Sequence, residues 1–81
     1  MSNERILIVE DDADIAVEIQ SSLAAQGYRI VGRASTGEAA IDLAVKHQPD
    51  LVLMDIQLEG QLDGVEAAQQ LREKLGTPVL Y

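Results

Sequence analysis

Apolar residues along the chain form short continuous runs, separated by longer stretches in which they recur every three or four positions. The runs "ILIV" (6–9) and "LVLM" (51–54) are continuous rather than alternating, which is the pattern of strands buried on both faces of a parallel sheet. The segments "YRIVGRA" (28–34) and "TPVLY" (77–81) also favour strands. The pattern therefore predicts four strands, with the two most apolar ones at the centre.

One amphipathic helix is expected in each interval between strands, the first from about Asp14 to Gln26. Residues suited to begin and end the three helices are, in chain order, Asp12 or Asp14 and Gly27, Ser35 or Thr36 and Pro49, and Asp63 and Gly76. Apolar spacing predicts buried stripes of Ile15, Ile19 and Leu23, then Ala40, Leu43, Ala44 and His47, then Val65, Ala68, Leu71 and Leu75.

A βαβαβαβ order with short connections predicts an α/β fold with a parallel sheet, right-handed crossovers and helices on both faces. Binding sites in such folds lie at the carboxyl ends of the strands. Glu10, Asp11 and Asp12 directly follow the first apolar run, and Asp55 directly follows "LVLM". If these two strands are neighbours, their carboxylates converge at one edge of the sheet.

Size and charge exclude several classes of function. The 81 residues allow one domain, and the net charge of -8 disfavours nucleic acid or an anionic membrane as a partner. The absence of cysteine excludes disulfides and thiolate metal sites, and the apolar runs are too short to span a bilayer. The N-terminal "MSNERILIVEDD" does not resemble a signal peptide, so we expect a cytoplasmic protein.

The acidic cluster favours a metal-assisted phosphate site. A dinucleotide-binding fold would place glycines after its first strand, whereas acids stand there in this chain and would repel phosphate. A divalent cation such as Mg²⁺ reverses that repulsion because it bridges carboxylates and phosphoryl oxygens. A phosphatase of the haloacid dehalogenase type would have a second Asp two residues after Asp55, where this chain has Gln57.

Two other interpretations of the acids compete with this one. The segment from Asp55 to Glu66 fits much of the EF-hand calcium pattern, but Pro49 and the apolar run before it do not allow the helix that should lead into such a loop. The acids at 10–12 could also serve only to cap the first helix, although capping needs one acid, and Asp55 could be a turn residue.

The motifs "ILIVEDD", "LVLMDIQL", "DGVEAAQQLRE" and "TPVLY" together resemble the receiver domain of two-component response regulators, over essentially the whole chain. The resemblance implies a flavodoxin-like (CheY-like) doubly wound sheet of strand order 2-1-3-4. It also implies that Asp55 accepts a phosphoryl group from a sensor histidine kinase or phosphotransfer protein. The implied cofactor is Mg²⁺, held by Asp11, by Glu10 through water, by Asp55 and by the backbone carbonyl of Gln57. Such a module is not an enzyme beyond promoting its own phosphorylation.

The resemblance also has departures. The loop "LEGQLDG" is longer than usual for the family, and residues 1–81 correspond to the first two-thirds of a receiver domain, without its last strand, its last two helices and the later Ser or Thr and Lys. A non-phosphorylated interaction module or an engineered half-domain is therefore the alternative function. An open "TPVLY" edge and an uncovered sheet face predict a homodimer.

Overall fold

The computed structural model describes residues 4–54 and 64–80, and within them four strands alternate with three helices. The elements are β1 (Arg5–Val9), α1 (Ala13–Ala25), β2 (Arg29–Ala34), α2 (Gly37–His47), β3 (Leu51–Met54), α3 (Gly64–Leu75) and β4 (Val79–Leu80). All strand pairs are parallel, and the strand order is β2-β1-β3-β4. The predicted α/β fold and strand order are confirmed.

Helix ends follow the polar and glycine signals of the sequence. The Thr36 hydroxyl caps α2 by accepting a hydrogen bond from the Ala39 amide at 3.1 Å. Gly27 and Gly76 follow α1 and α3 with φ values of 94° and 65°, a left-handed conformation that favours glycine. These three expectations are confirmed, whereas the predicted cap at Asp63 lies outside the described residues.

The C-terminus of α2 is tied to the start of β1 by Arg5. The Arg5 guanidinium donates to the backbone carbonyls of His47 and Gln48, and the Asp50 carboxylate accepts the Arg5 amide at 2.8 Å. Gln48 adopts a left-handed conformation with φ 47°, so α2 ends directly before Pro49, as predicted. The arginine supplies positive charge where the helix dipole is negative.

Alternate residues of the sheet face two separate cores. Leu7 and Val9 face α2 and α3, whereas Ile6 and Ile8 face α1. The core on the side of α2 and α3 consists of Leu7, Val9, Ala34, Ala40, Ala44, Val52, Met54, Ala67 and Leu71. Three of these, Ala40, Ala44 and Ala67, are alanines on the helices, and their small side chains allow close approach of helix to sheet.

Two predicted stripes are wrong in part. Ile15 is 44% exposed, and Ala16 takes the buried position on α1. On α3, Val65 is 50% exposed and Leu75 is 37% exposed, whereas Leu71 is fully buried. Residues four apart on a helix drift by about 40° per step and residues three apart by about 60° in the opposite direction, so a stripe of either spacing moves between the flank of the helix and its buried centre. The stripe of α2 is confirmed at Ala40 and Ala44, which are fully buried, whereas Leu43 and His47 are half-buried.

Among the described helices, α1 is the one that packs on the second sheet face, where it contacts β1 and β2. On the same face, Leu53 of β3 pairs with Leu80 of β4, so their side chains project side by side. Leu80 is 56% exposed. At the opposite edge, β2 presents the exposed side chains of Arg29 and Arg33. The two edges of the sheet therefore differ, one charged and one apolar.

In the described part of the chain, each helix is too short and too polar to cross a bilayer.

Candidate functional site

The carboxyl ends of β1 and β3 lie side by side, which fixes where the candidate site must be. Val9, the last residue of β1, pairs with Met54, the last residue of β3. Glu10 follows the first strand and Asp55 follows the second in the sequence. The condition on which the prediction depends, that these two strands are neighbours, is thus confirmed. Asp55 and Gln57 themselves lie outside the described residues.

The chain leaves β1 through Glu10, which is bound at both its backbone and its side chain. The Glu10 amide donates to the carbonyl of Ala34 in β2 at 2.9 Å, which extends the pairing of β1 and β2 by one bond. Its carboxylate Oε2 accepts the amide of Asp12 at 3.2 Å. Glu10 is half-buried, whereas Asp12 is exposed. The side chain of Glu10 therefore lies over the turn formed by the next two residues.

Asp12 is the N-cap of α1. Its Oδ1 accepts the amides of Asp14 at 2.9 Å and Ile15 at 3.2 Å, while its own backbone is extended, with φ -88° and ψ 111°. A carboxylate at this position satisfies amides that have no partner within the helix and lies at the positive end of the helix dipole. The prediction that Asp12 or Asp14 begins this helix is therefore confirmed for Asp12.

Asp11 lies between these two anchored acids and is exposed to solvent. Its carboxylate and that of Glu10 are hard oxygen donors, the type that Mg²⁺ prefers. Within residues 4–54 and 64–80, no three acidic, histidine or cysteine side chains are grouped so that they could hold a metal ion. The two carboxylates fit part of a magnesium site, and the predicted remainder, Asp55 and Gln57, lies in the undescribed segment.

The element before Asp55 argues against the calcium interpretation of the segment from Asp55 to Glu66. An EF-hand loop is entered from a helix, whereas the element that ends directly before Asp55 is the strand β3. Glu66, the last ligand of that pattern, is exposed in the first turn of α3. The rest of the pattern, residues 55–63, lies outside the described residues.

The bond from the Asp12 amide to Glu10 is a feature that sequence reasoning missed. The sequence pattern predicts that Asp12 caps the helix, and the family resemblance implies that Glu10 helps to bind a metal, but neither connects the two residues. The signal in the sequence is the spacing, since a glutamate two residues before an N-cap can accept the amide of the cap residue. The two acids thus form one hydrogen-bonded unit around Asp11.

Comparison with known proteins places these features in a family. The model of the response regulator receiver domain matches residues 6–81. The transcriptional regulatory protein PdtaR of Mycobacterium tuberculosis is 41% identical over 76 residues, which is 94% of this chain and 37% of PdtaR. The alkaline phosphatase synthesis regulator PhoP of Bacillus subtilis is 40% identical over 79 residues, 96% of this chain and 32% of PhoP. The chain thus spans about a third of the length of these relatives.

Solved structures agree with the sequence matches. The signal receiver domain of a modulated diguanylate cyclase from Desulfovibrio desulfuricans superposes with a TM-score of 0.90 at 38% identity, covering 95% of this chain and 62% of that one. The response regulator domain of Thermotoga maritima CheB gives a TM-score of 0.90 at 30% identity, over 96% of this chain and 58% of that one. On its fold, its acidic β1 turn and its matched residues, the chain belongs to the receiver domain family of two-component response regulators.

Proposed function

We propose that the chain is the phospho-accepting module of a two-component phosphorelay, with Asp55 as the acceptor. The observation that carries the proposal is the register between β1 and β3, in which Val9 pairs with Met54. This register brings the turn of Glu10 and Asp11 next to the strand that ends one residue before Asp55. The donor is a phosphohistidine of a sensor histidine kinase or of a phosphotransfer protein.

In the proposed transfer, a carboxylate oxygen of Asp55 attacks phosphorus with a lone pair and forms an O–P bond. The N–P bond to the donor histidine breaks, its electron pair returns to the imidazole nitrogen, and a proton on the other ring nitrogen keeps the departing ring neutral. The product is an acyl phosphate on Asp55 and a free imidazole on the donor. No oxidant or further reactant is required, and positioning and charge neutralisation supply most of the rate.

The main obstacle to this transfer is the repulsion between the carboxylate and the phosphoryl oxygens. We assign Glu10, Asp11, Asp55 and the backbone carbonyl of Gln57 as the groups that hold Mg²⁺. When bound, Mg²⁺ offsets the negative charge of the reacting oxygens. Glu10 and Asp11 fit this role because both present carboxylates at the carboxyl end of β1.

Mg²⁺-dependent labelling by acetyl phosphate tests the proposal. The chain is expected to gain one acid-labile phosphoryl group, located by mass spectrometry on Asp55, and Asp55→Asn is expected to remove it because the amide is not a nucleophile. Asp11→Lys is expected to abolish Mg²⁺-dependent NMR shifts and labelling while the fold persists. Label on another residue, or a wild-type chain that takes none, would contradict the assignment and favour a non-phosphorylated interaction module.

Phosphorylation would change the local charge by about -1.5 to -2. That is enough to bias a surface with two conformations if suitable groups respond to it. The chain acts as a receiver whose output depends on partners rather than as an enzyme in its own right. We infer that residues 1–81 form the β1-to-β4 portion of such a receiver domain, in accord with the coverage of the solved structures.

We also propose that the 81-residue chain forms a homodimer through the β4 edge and the sheet face beside it. The β2 edge carries the exposed Arg29 and Arg33, and charges of this kind oppose strand pairing. The β4 edge instead presents Leu80, 56% exposed, next to the half-buried Leu53. A second copy of the chain presents the same edge, so a twofold-symmetric dimer covers both β4 edges at once.

Light scattering coupled to size-exclusion chromatography tests this part. A dimer is expected at tens of micromolar, and Leu80→Lys is expected to give a monomer because it places a charge on the edge. Higher salt should strengthen the dimer, since it screens the repulsion between two chains of net charge -8. A folded and sharply monomeric wild-type chain would contradict the homodimer and leave the phosphoryl assignment untouched.

A further inference from the structure

The turn that carries Asp11 is fixed on both sides by hydrogen bonds that converge on one residue. Upstream, the amide of Asp12 donates to Glu10 Oε2 at 3.2 Å. Downstream, the carboxylate of Asp12 accepts the amides of Asp14 and Ile15 at 2.9 and 3.2 Å. Asp12 also gives its carbonyl to the amide of Ala16 at 3.0 Å, the first bond of the helix. Three of its polar groups are therefore used to hold the chain.

We propose that Asp12 is a positioning residue for the magnesium site: it holds Glu10 and Asp11 in place without itself binding the ion. The inference rests on the proposed function and extends it. The role needs a side-chain acceptor at the cap, because the bonds from Asp14 and Ile15 order the first turn of α1, and the Asp12 amide joins that turn to Glu10 at the end of β1. Asp11 is exposed and directly precedes Asp12, so it lies in a turn whose shape is already defined before the ion binds.

Positioning raises affinity by raising the fraction of molecules that are ready to bind. If the turn is ordered in only a fraction of molecules, the apparent dissociation constant rises by the inverse of that fraction. Loss of an N-cap destabilises the first turn of a helix, and here that first turn is directly joined to the residues that we assign to the ion. Without the cap, the order of the turn rests on the remaining bonds of Glu10, including its amide to Ala34.

Charge must be separated from geometry, because Asp12 also adds negative charge near the ion. Asp12→Asn and Asp12→Ala remove the same charge, but only asparagine keeps an oxygen that can cap the helix. A comparison of these two variants therefore isolates the cap. Asp12→Gly provides a second variant without the acceptor, which costs the helix only a few tenths of a kcal/mol relative to good caps, so it remains folded if the alanine variant does not.

The matched control is Thr36→Ala. Thr36 caps α2 by one bond to Ala39, so its loss destabilises the fold in a similar way. Thr36 caps α2 rather than α1, and it is not among the residues assigned to the ion. Any loss of Mg²⁺ affinity that comes from lower stability alone should appear in this variant as well.

The experiment is an Mg²⁺ titration of the full chain, followed by NMR at the backbone amides of Glu10 and Asp11, with hydrogen exchange at Asp14 and Ile15. We expect Asp12→Ala to bind up to about fivefold more weakly than Asp12→Asn, with faster exchange at both amides, and Asp12→Gly to lie between the two because glycine costs the cap less. Thr36→Ala should bind like the wild type. Equal affinities for the asparagine and alanine variants would overturn the inference while the proposed function stands. A wild-type chain with no Mg²⁺ shifts would instead overturn the site itself.

Discussion

Leu71 is the side chain through which α3 supports the strand before the acceptor position. It is fully buried in the core with Val52 and Met54 of β3. Leu71→Ala would remove apolar contact and leave a cavity, and such changes cost about 3 to 5 kcal/mol at fully buried positions. A domain of 81 residues has a total stability of about 4 to 12 kcal/mol, so this loss is a large share of it.

Leu75 provides the matched control on the same helix. It is 37% exposed, so Leu75→Ala leaves no closed cavity and should cost about 1 kcal/mol. Leu71→Val, which removes one methylene group, should cost a similar amount and keeps a folded reference if Leu71→Ala is too unstable to measure.

Urea unfolding followed by far-UV circular dichroism measures the difference. With a slope of about 1 kcal/mol per molar for a domain of this size, Leu71→Ala should lower the midpoint by about 3 to 5 M and Leu75→Ala by about 1 M. Equal shifts for the two alanine variants would refute the burial argument, because both remove the same atoms from the same helix. That result would mean that burial of Leu71 against β3 does not stabilise the sheet.

Three further substitutions test the sheet, a helix end and the link at Arg5. An added Cβ at Gly32 would lie at ordinary contact distance from Leu7 and Leu43, at 3.5 and 3.6 Å, so Gly32→Ala should stabilise the chain by about 0.5 kcal/mol in urea unfolding. Gly76→Ala has open space but a φ of 65°, so it should destabilise by about 1 kcal/mol, and a stabilised variant would contradict the strain argument. Arg5→Ala should lower the free energy of unfolding by roughly 1 to 2 kcal/mol because two carbonyls lose their donor, with Arg5→Lys intermediate. Thermal unfolding measures the order of the midpoints, and equal midpoints for both variants and the wild type would show that the link contributes nothing.

Strand prediction succeeded because the strongest signals coincide with full burial. The run "LVLM" was predicted at 51–54 and forms β3 over the same residues. Val52 and Met54 are buried on one face of this strand, and Leu51 and Leu53 are half-buried on the other, so every position favours an apolar residue and the boundaries are sharp. At "TPVLY" only Val79 and Leu80 form a strand among the described residues, because Pro78 has no amide to donate.

Helix phase was harder to predict because spacing does not reveal which flank of a stripe is buried. Ile15 was expected in the core by its spacing from Ile19, yet the small Ala16 is the residue that packs under α1. Val65 lies about 120° around the helix from Leu71, too far to share its buried face. A small residue carries little hydrophobic signal, although a close contact between helix and sheet requires one.

The candidate site could be predicted only as far as the strands position it. That the segments after residues 9 and 54 start side by side follows from two buried neighbouring strands. The hydrogen bond between the Asp12 amide and Glu10 depends on turn geometry that residue types alone do not determine. Sequence reasoning therefore located the acids but did not predict how they bind to one another.

The central place of β1 in the sheet has a consequence for synthesis. β1 is made before both of its partners, β2 and β3, and the link from Arg5 to Asp50 spans 45 residues. At about 5 to 20 residues per second, the run "ILIV" waits several seconds on the ribosome before its second neighbour exists. During that time an apolar strand without partners is prone to pair with other chains. Glu10 and Asp11 are assigned to phosphoryl chemistry in the folded domain, and together with Asp12 they place three like charges directly after the apolar run, a position at which charged residues oppose pairing between nascent chains.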